Sequence, residues 1–255
     1  ELTKWWSQFD DPILTQLIEL SEKDSPTLDA AIARVNQARF SLTKNNAGLW
    51  PSVTGSSSLK RSQSGAAGIE TIKTTGMAAF DAGWEIDIFG GQRRAVEQSE
   101  AQLQSSEAVW HDARVTLAAE VADAYVGYRA CYGEVKVYEN LLAARSVTRD
   151  LVNFKVKAGI ISNTDSDLSE ASTLSASGQI DNQKGVCAQR FNSLVQLTGM
   201  SAGELSSLLG SGKGGISSPR GADMKSLPVN VIEQRPDVFA AERNLAAASA
   251  AIGVA

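Results

Sequence analysis

The chain has 255 residues, a net charge of −5 at pH 7 and 43% apolar residues. This length is enough for one large domain or two ordinary domains with a buried core. The mild acidity and the lack of a basic stripe argue against nucleic-acid binding. One histidine and two well-separated cysteines exclude the common zinc and haem motifs, and no cofactor is predicted. No apolar run reaches the 18 residues that a transmembrane helix needs.

The distribution of proline predicts where the helices lie. None of the six prolines falls between residues 52 and 218, and Gly127 and Gly133 are the only glycines between residues 92 and 158. Because proline and glycine are the main helix breakers, this segment predicts one helix of roughly 100 Å. Its apolar residues keep the seven-residue spacing of a coiled coil: Val96, Leu103, Trp110, Leu117, Val121, Ala124, Tyr128, Cys131, Val135, Tyr138 and Leu142.

Two shorter helices flank this long one. Ser25 and Pro26 are typical of a helix start and predict a helix over residues 26–50. A weaker apolar repeat follows the long helix: Leu174, Ile180, Cys187, Phe191 and Leu194. Between the long helix and this last one, Gly159 can adopt the left-handed conformation that closes a helix. Ser162 and Asp165 are both candidate N-caps of the next helix. We therefore expect a helical hairpin with its tip at residues 159–165.

Between the first two helices the apolar period changes to two. Phe80, Trp84, Ile86 and Ile88 alternate with Asp81, Glu85 and Asp87, and residues 52–60 alternate in the same way. The pattern predicts two strands of about ten residues joined by a loop over Gln63–Gly76. This is the strand length of a membrane β-barrel, although a soluble sheet with one wet face shows the same alternation. The long helices on both sides favour the membrane interpretation.

A short repeat links the two ends of the chain. Residues 25–31 recur 210 positions later, so that Pro26 corresponds to Pro236 and Leu42 to Ile252. The chain therefore stops partway into a second copy of its first long helix, and no N-terminal leader pattern is present. We expect it to be a piece of a longer protein, or a mature one.

Five motifs together resemble the TolC/OprM-like outer-membrane efflux proteins, the outer membrane factors of tripartite pumps, and within them the NodT-type lipoprotein branch. The strand-to-helix exit FDAGWEIDIFGG and the later motif QRPDV, in this order, are the most distinctive. The motifs occupy the following positions: residues 5–14, 47–53, 80–91, 157–165 and 227–238. The N-terminal lipid-bearing cysteine of many members is missing, as expected if processing had removed it.

The resemblance implies a mostly α-helical fold with a membrane β-hairpin. Long coiled-coil-like helices would form a periplasmic α-helical tunnel, and the strands would contribute to a trimeric twelve-stranded β-barrel with four strands from each subunit. This chain would hold the first structural repeat and the start of the second. The implied domains are an N-terminal equatorial segment (1–25), a tunnel helix (26–50), an outer-membrane β-hairpin (51–90), a long helical hairpin (91–195), an equatorial linker (196–235) and a second-repeat helix (236–255).

The function implied by the resemblance is that of a passive exit duct in the Gram-negative outer membrane, extending into the periplasm. It would serve a tripartite efflux or type I-like export system, conduct drugs or other small molecules, and not act as an enzyme. Its partners would be two further copies of itself, outer-membrane lipid, a periplasmic adaptor protein and, through the adaptor, an inner-membrane pump. The alternative is a periplasmic coiled-coil adaptor or scaffold, whose helical hairpin also shows heptads.

The site residues follow from combining the patterns with the resemblance. One strand face would line the lumen with a mild cation preference, and the other would face lipid. The tip residues would dock the adaptor. The assignments are lumen-lining Asp81, Glu85 and Asp87; lipid-facing Phe80, Trp84, Ile86 and Ile88; and docking Gly159, Ser162 and Asp165.

The two cysteines allow two interpretations. If the hairpin centres near residue 161, Cys131 lies opposite position 191, within one helical turn of Cys187. Since the periplasm is oxidising, the pair is a candidate disulfide. The alternative is two buried thiols that pack as small apolar side chains.

Overall fold

A computed structural model describes residues 2–66, 69–210 and 235–254. The chain divides into two compact units, Glu1–Asp29 with Ala113–Leu227 (unit 1) and Ala30–Asp112 with Pro228–Ala255 (unit 2). A 3₁₀ helix at Leu2–Phe9 precedes the other elements, which are α1 (Pro12–Lys23), α2 (Pro26–Ala47), β1 (Ser52–Ala66), β2 (Ile69–Gly83), α3 (Gly91–Lys157), α4 (Asn163–Thr198), α5 (Ala202–Gly210) and α6 (Pro236–Ile252). Among these described helices, none is both long enough and apolar enough to cross a bilayer.

The long helix is confirmed. Helix α3 runs for 67 residues without a break. Every apolar residue of its predicted heptad series is buried or half-buried. The repeat is also reflected in the helix starts, since α2 begins at Pro26 and α6 at Pro236, the first-turn position that proline favours.

The core of unit 1 lies where the flanking segments pack on the long hairpin. Leu17 and Ile18 of α1 are fully buried, as are Val121 of α3, Leu194 of α4 and Leu205 of α5. Each such side chain contributes about 1.5–3 kcal/mol relative to an exposed position. The segments before residue 25 and after residue 196, for which the sequence patterns predict no secondary structure, therefore contain helices that pack on the end of the helical hairpin opposite its tip.

Polar contacts fix α1 against α3 in the same unit. Asp11 caps α1 by accepting from the backbone N–H of Ile13 at 3.0 Å, and its other carboxylate oxygen accepts from the Tyr125 hydroxyl at 2.9 Å. The Arg114 guanidinium donates to both oxygens of Glu22, at 2.7 and 2.9 Å. This fork geometry holds a carboxylate more firmly than a single hydrogen bond does.

Unit 2 joins α2 and α6 to the first part of α3. The Gln92 side chain donates to the carbonyl of Asn45 at 2.7 Å, and the Asn45 amide donates to the Ser99 hydroxyl. A Cβ at Gly48 would lie 2.5 Å from the Gln92 amide nitrogen, so a larger residue here would displace the Gln92 side chain from this hydrogen bond. On α6, the carbonyl of Ala240 accepts from the Ser105 hydroxyl at 3.3 Å.

Several sequence expectations need correction. Helix α2 ends at Ala47 rather than residue 50, and Leu174 is exposed while its neighbour Thr173 is buried. The strands have 15 residues each, so the part of the predicted loop Gln63–Gly76 that is described belongs to the strands. Glycine, serine and threonine in that loop suggested a turn, but cross-strand pairing overrides this local preference. Residues 211–234 of the predicted equatorial linker, and the motif residues within them, lie outside the described residues.

Candidate functional sites: a two-faced hairpin and a capped helical tip

The register of the β-hairpin separates an apolar face from a polar one. Val53 pairs with Ala82, Gly55 with Phe80 and Leu59 with Gly76. Directly paired residues of antiparallel strands point to the same face. We call the face that carries these pairs the apolar face. The polar face is formed by the alternate positions: Ser52, Thr54, Ser56, Ser58, Lys60 and Ser62 on β1, and Lys73, Thr75, Met77, Ala79 and Asp81 on β2.

Both faces are open. Every side chain of residues 52–64 and 72–83 is exposed, and Phe80 and Leu59 retain 87% and 80% of their accessible surface. A large exposed apolar surface marks a contact with a partner or a membrane. The register also places Phe80 on the apolar face and Asp81 on the polar face, as the alternation in the sequence predicts.

Two glycines allow large side chains to lie across the apolar face. A Cβ at Gly55 would come within 3.3 Å of the Phe80 ring, and a Cβ at Gly76 within 3.6 Å of the Leu59 side chain. In each case the large residue covers the glycine directly opposite it, which stabilises a strand pair that has no packed layer beneath it.

The predicted strand ends earlier than its alternation suggested. Strand β2 stops at Gly83, and residues 84–87 have no regular secondary structure. The Trp84 indole donates to the carbonyl of Leu49 at 3.2 Å, which closes the base of the hairpin. Placing Glu85 and Asp87 on the polar strand face, and Trp84, Ile86 and Ile88 on the apolar strand face, was thus wrong. The period of two continues past the last cross-strand hydrogen bond.

Asp87 instead caps the start of α3. Its carboxylate accepts from the backbone N–H of Gln92 at 3.1 Å and from that of Arg93 at 3.0 Å, and it pairs with the Arg93 guanidinium at 3.1 Å. Gly90, at φ +82°, turns the chain so that a carboxylate three residues upstream reaches these donors. The first-turn N–H groups of a helix have no partner within the helix, so an acid here stabilises it. The IDIFGG motif is therefore a strand-to-helix corner.

The charges on the polar face differ from the expectation. Asp81 remains there, whereas the register adds Lys60 and Lys73 toward the other end. Among the described side chains of this face, cations outnumber anions, whereas the expected cation preference was based on three carboxylates, of which only Asp81 lies on this face. The signal was available in the sequence, because both lysines fall in phase with Asp81 once the strands are extended.

The three tip residues come together at the turn between α3 and α4. Gly159 has φ +73°. Its N–H donates to the backbone carbonyl of Val156 at 2.9 Å, and the N–H of Ile160 donates to the backbone carbonyl of Lys155 at 3.0 Å. This pair of bonds is the Schellman motif that closes a helix. Ser162, and not Asp165, is the N-cap of α4. The Asp165 carboxylate accepts from the Ser162 N–H at 3.1 Å and from its hydroxyl at 2.9 Å.

The helical hairpin formed by α3 and α4 is cross-linked by a disulfide between Cys131 and Cys187, whose Cα atoms lie 5.6 Å apart. Both residues are 97% buried and contact Val135. They lie symmetrically about Gly159, so the hairpin centres two residues before the expected position 161. This offset explains why Cys131 lies opposite Cys187 and not position 191.

One helical turn before the disulfide, an aromatic cluster joins the two helices. The Tyr128 ring lies 5.9 Å from Phe191 and 5.1 Å from Tyr132, measured between ring centroids. Burial, followed by the neighbouring Tyr132 hydroxyl, raises the pKa of Tyr128 to about 12. Burial likewise raises the pKa of Tyr125, which binds Asp11. Sequence reasoning placed Tyr128 in the heptad series but did not find this cluster.

Paired long helices that lead into an exposed two-faced hairpin are the architecture of outer-membrane channels. The outer-membrane channel OprN superposes with a TM-score of 0.84 at 29% identity, over 99% of this chain and 57% of OprN. The outer membrane protein VceC of Vibrio cholerae has the same fold, with a TM-score of 0.80 at 21% identity, over 99% of this chain and 60% of VceC.

The sequence comparisons agree with the fold. The sequence model of the outer membrane efflux protein family matches residues 17–200. The pyoverdine export outer membrane protein OpmQ of Pseudomonas putida is 30% identical, over 99% of this chain and 55% of OpmQ. Nodulation protein T of Rhizobium leguminosarum bv. viciae is 28% identical, over 100% of this chain and 52% of that protein. The chain belongs to the outer membrane efflux protein family and spans about half the length of the curated relatives it matches.

Proposed function

We propose that the chain forms part of an outer-membrane exit duct in a Gram-negative tripartite efflux or type I-like export system. The observation that carries the proposal is the exposed hairpin, whose apolar and polar faces require different surroundings. In a membrane β-barrel the apolar face contacts lipid and the polar face contacts the aqueous lumen. Drugs or other small molecules would pass through this lumen.

The hairpin residues take the following parts in the proposed duct. Phe80 contacts lipid from the apolar face, and Asp81 lines the lumen from the polar face together with Lys60. Trp84, Ile86 and Ile88, which are 59%, 61% and 75% exposed beyond the strand end, contact lipid at the periplasmic boundary of the membrane. Glu85 borders the entrance to the lumen, and Asp87 orients α3 relative to the strands instead of lining the lumen.

The helices continue the duct into the periplasm. Three copies of the full-length protein form a homotrimer, in which the helices build a tunnel below a twelve-stranded barrel. The tip at Gly159, Ser162 and Asp165 docks a periplasmic adaptor, which connects the duct to an inner-membrane pump. The rigid caps on both sides of the turn, and the 68% exposed Ile160 between them, support a preformed docking surface.

In this proposal the chain acts passively, without catalysis, and the inner-membrane partner drives transport. The alternative of a periplasmic adaptor or scaffold is not favoured, since the matched family and the superposed structures are outer membrane proteins. An adaptor would also have no use for a long hairpin that is open on both faces.

Labelling the two faces tests the proposal. Because both native cysteines are joined in a disulfide, a single introduced cysteine can be labelled with a polarity-sensitive fluorophore. In lipid vesicles, we expect the label at Phe80→Cys to shift to the blue and to be shielded from an aqueous quencher. The label at the adjacent position, Asp81→Cys, should remain quenchable. Equal quenching of both labels would contradict a membrane-inserted hairpin.

A further inference from the structure

The apolar face of the hairpin ends at a cation. From the base outward, this face carries no charge through Val53, Leu59 and their partners on β2. Arg61, opposite Thr74, is the first charged side chain on it, and Gln63 follows on the same face. Ile72 lies opposite Gln63, so the arrangement is an uncharged apolar band that ends at Arg61, followed by a rim of mixed polarity.

The length of the uncharged band agrees with the thickness of a membrane. Arg61 lies nine residues beyond Ser52, which begins β1, and nine residues of strand extend about 30 Å. A strand tilted by about 40° rises about 23 Å over this length, close to the ~25 Å apolar band of outer-membrane barrels. The base carries exposed Trp50 and Trp84, and tryptophan favours the membrane interface.

We infer that Arg61 marks the outer boundary of the apolar band and binds the phosphate of anionic lipid headgroups in the outer leaflet. The inference rests on the proposed function, because it needs the hairpin to be in the membrane. A guanidinium presents a planar fork of donors that fits a phosphate group, and its position beside the apolar face directs it to lipid instead of the lumen. Lys60, one residue earlier, has the same charge but lies on the polar face.

This pair of neighbours provides the test. The full chain, Arg61→Gln and Lys60→Gln are compared by flotation with vesicles of phosphatidylcholine, alone or with phosphatidylglycerol. One cation beside an anionic surface contributes about 1 kcal/mol, or about fivefold in affinity. We expect Arg61→Gln to lose about fivefold of the affinity for phosphatidylglycerol vesicles only, and Lys60→Gln to lose almost none. Both residues are exposed, so neither substitution removes a core contact.

Three results separate the possible failures. Equal losses in the two variants, or no loss in Arg61→Gln, would overturn the headgroup assignment while leaving membrane insertion intact. Equal binding of the unaltered chain to both vesicles would do the same. If the unaltered chain binds neither vesicle, or if Phe80→Ser binds both as well as the unaltered chain does, the membrane function itself fails, and the headgroup assignment fails with it.

Discussion

Reducing the disulfide between Cys131 and Cys187 is expected to destabilise unit 1 strongly. The bond joins two helices across a sequence separation of 56 residues and lies between the aromatic cluster and the tip. Beyond it, the contacts between α3 and α4 include polar pairs such as Ser166 with Asn153 at 2.6 Å. The hairpin arm toward the tip therefore depends on this cross-link more than the buried core around Leu17 does.

The magnitude follows from the length of the closed loop. In the loop-entropy relation, a loop of this size restricts the unfolded chain by about 4 kcal/mol at 25 °C. This corresponds to about a thousandfold change in the ratio of folded to unfolded protein. Both thiols remain buried beside Val135 after reduction, so little packing is lost and the loop term dominates.

Equilibrium unfolding in denaturant, with and without reductant, measures the effect, and far-UV circular dichroism follows the helices. The double variant Cys131→Ala with Cys187→Ala is the control, because reductant should not change its unfolding midpoint. Amide exchange should accelerate between the two cysteine positions upon reduction. An intact mass that shows two free thiols in the unreduced protein, or an unchanged midpoint upon reduction, would refute the reasoning.

Three further substitutions test other parts of the structure. Asp87→Ala removes the acceptor for two N–H groups of α3, so the free energy of unfolding should fall by about 1 kcal/mol, measured by denaturant unfolding. Glu85→Ala, at an exposed site two residues away, should change it by less than about 0.5 kcal/mol, and equal effects would argue against the cap. Gly159→Ala forces a side chain into φ +73° at a cost of about 1 kcal/mol, so unaltered stability would contradict the left-handed turn. The pKa of Tyr128 lies at about 12 in the folded chain, against an ordinary value of 10.0, so the protonated form is favoured by folding. Stability should therefore fall as pH rises through about 10 to 12, and Tyr128→Phe should reduce this slope in pH-dependent unfolding.

The helices could be predicted because their signals are local and long. The heptad series of α3 repeats often enough that no tertiary contact overrides it, and Pro26 and Pro236 mark helix starts by their fixed backbone angle. The tip was also predictable. Gly159 supplies the left-handed turn and Ser162 the N-cap, and both depend on residues within one helical turn.

The strand ends could not be predicted from alternation alone. A period of two continues from Phe80 to Ile88, but pairing with β1 stops at Gly83. Whether a carboxylate lines a strand face or caps a helix depends on where Gly90 turns the chain, and its positive φ is visible only in three dimensions. Alternation therefore predicts the wrong surface for Asp87, which caps α3 instead of lying on a strand face.

The charges of the hairpin show the same limit. The glycines and alanines of residues 65–68 are depleted in strands, so the sequence predicts a loop that extends to Lys73. Pairing with β1 brings it onto the polar face, opposite Ser62. Long-range hydrogen bonding thus decides both the charges on the polar face and the position of Arg61 at the end of the apolar band.

The native mass of the chain in detergent tests the central claim most directly. A duct requires a closed ring of strands, and the proposed twelve-stranded barrel takes three copies of the full-length protein or six copies of this two-stranded hairpin. Native mass spectrometry of this chain from detergent micelles should therefore give a hexamer. A single chain in detergent, with both faces of its hairpin accessible to an aqueous reagent, would contradict the account.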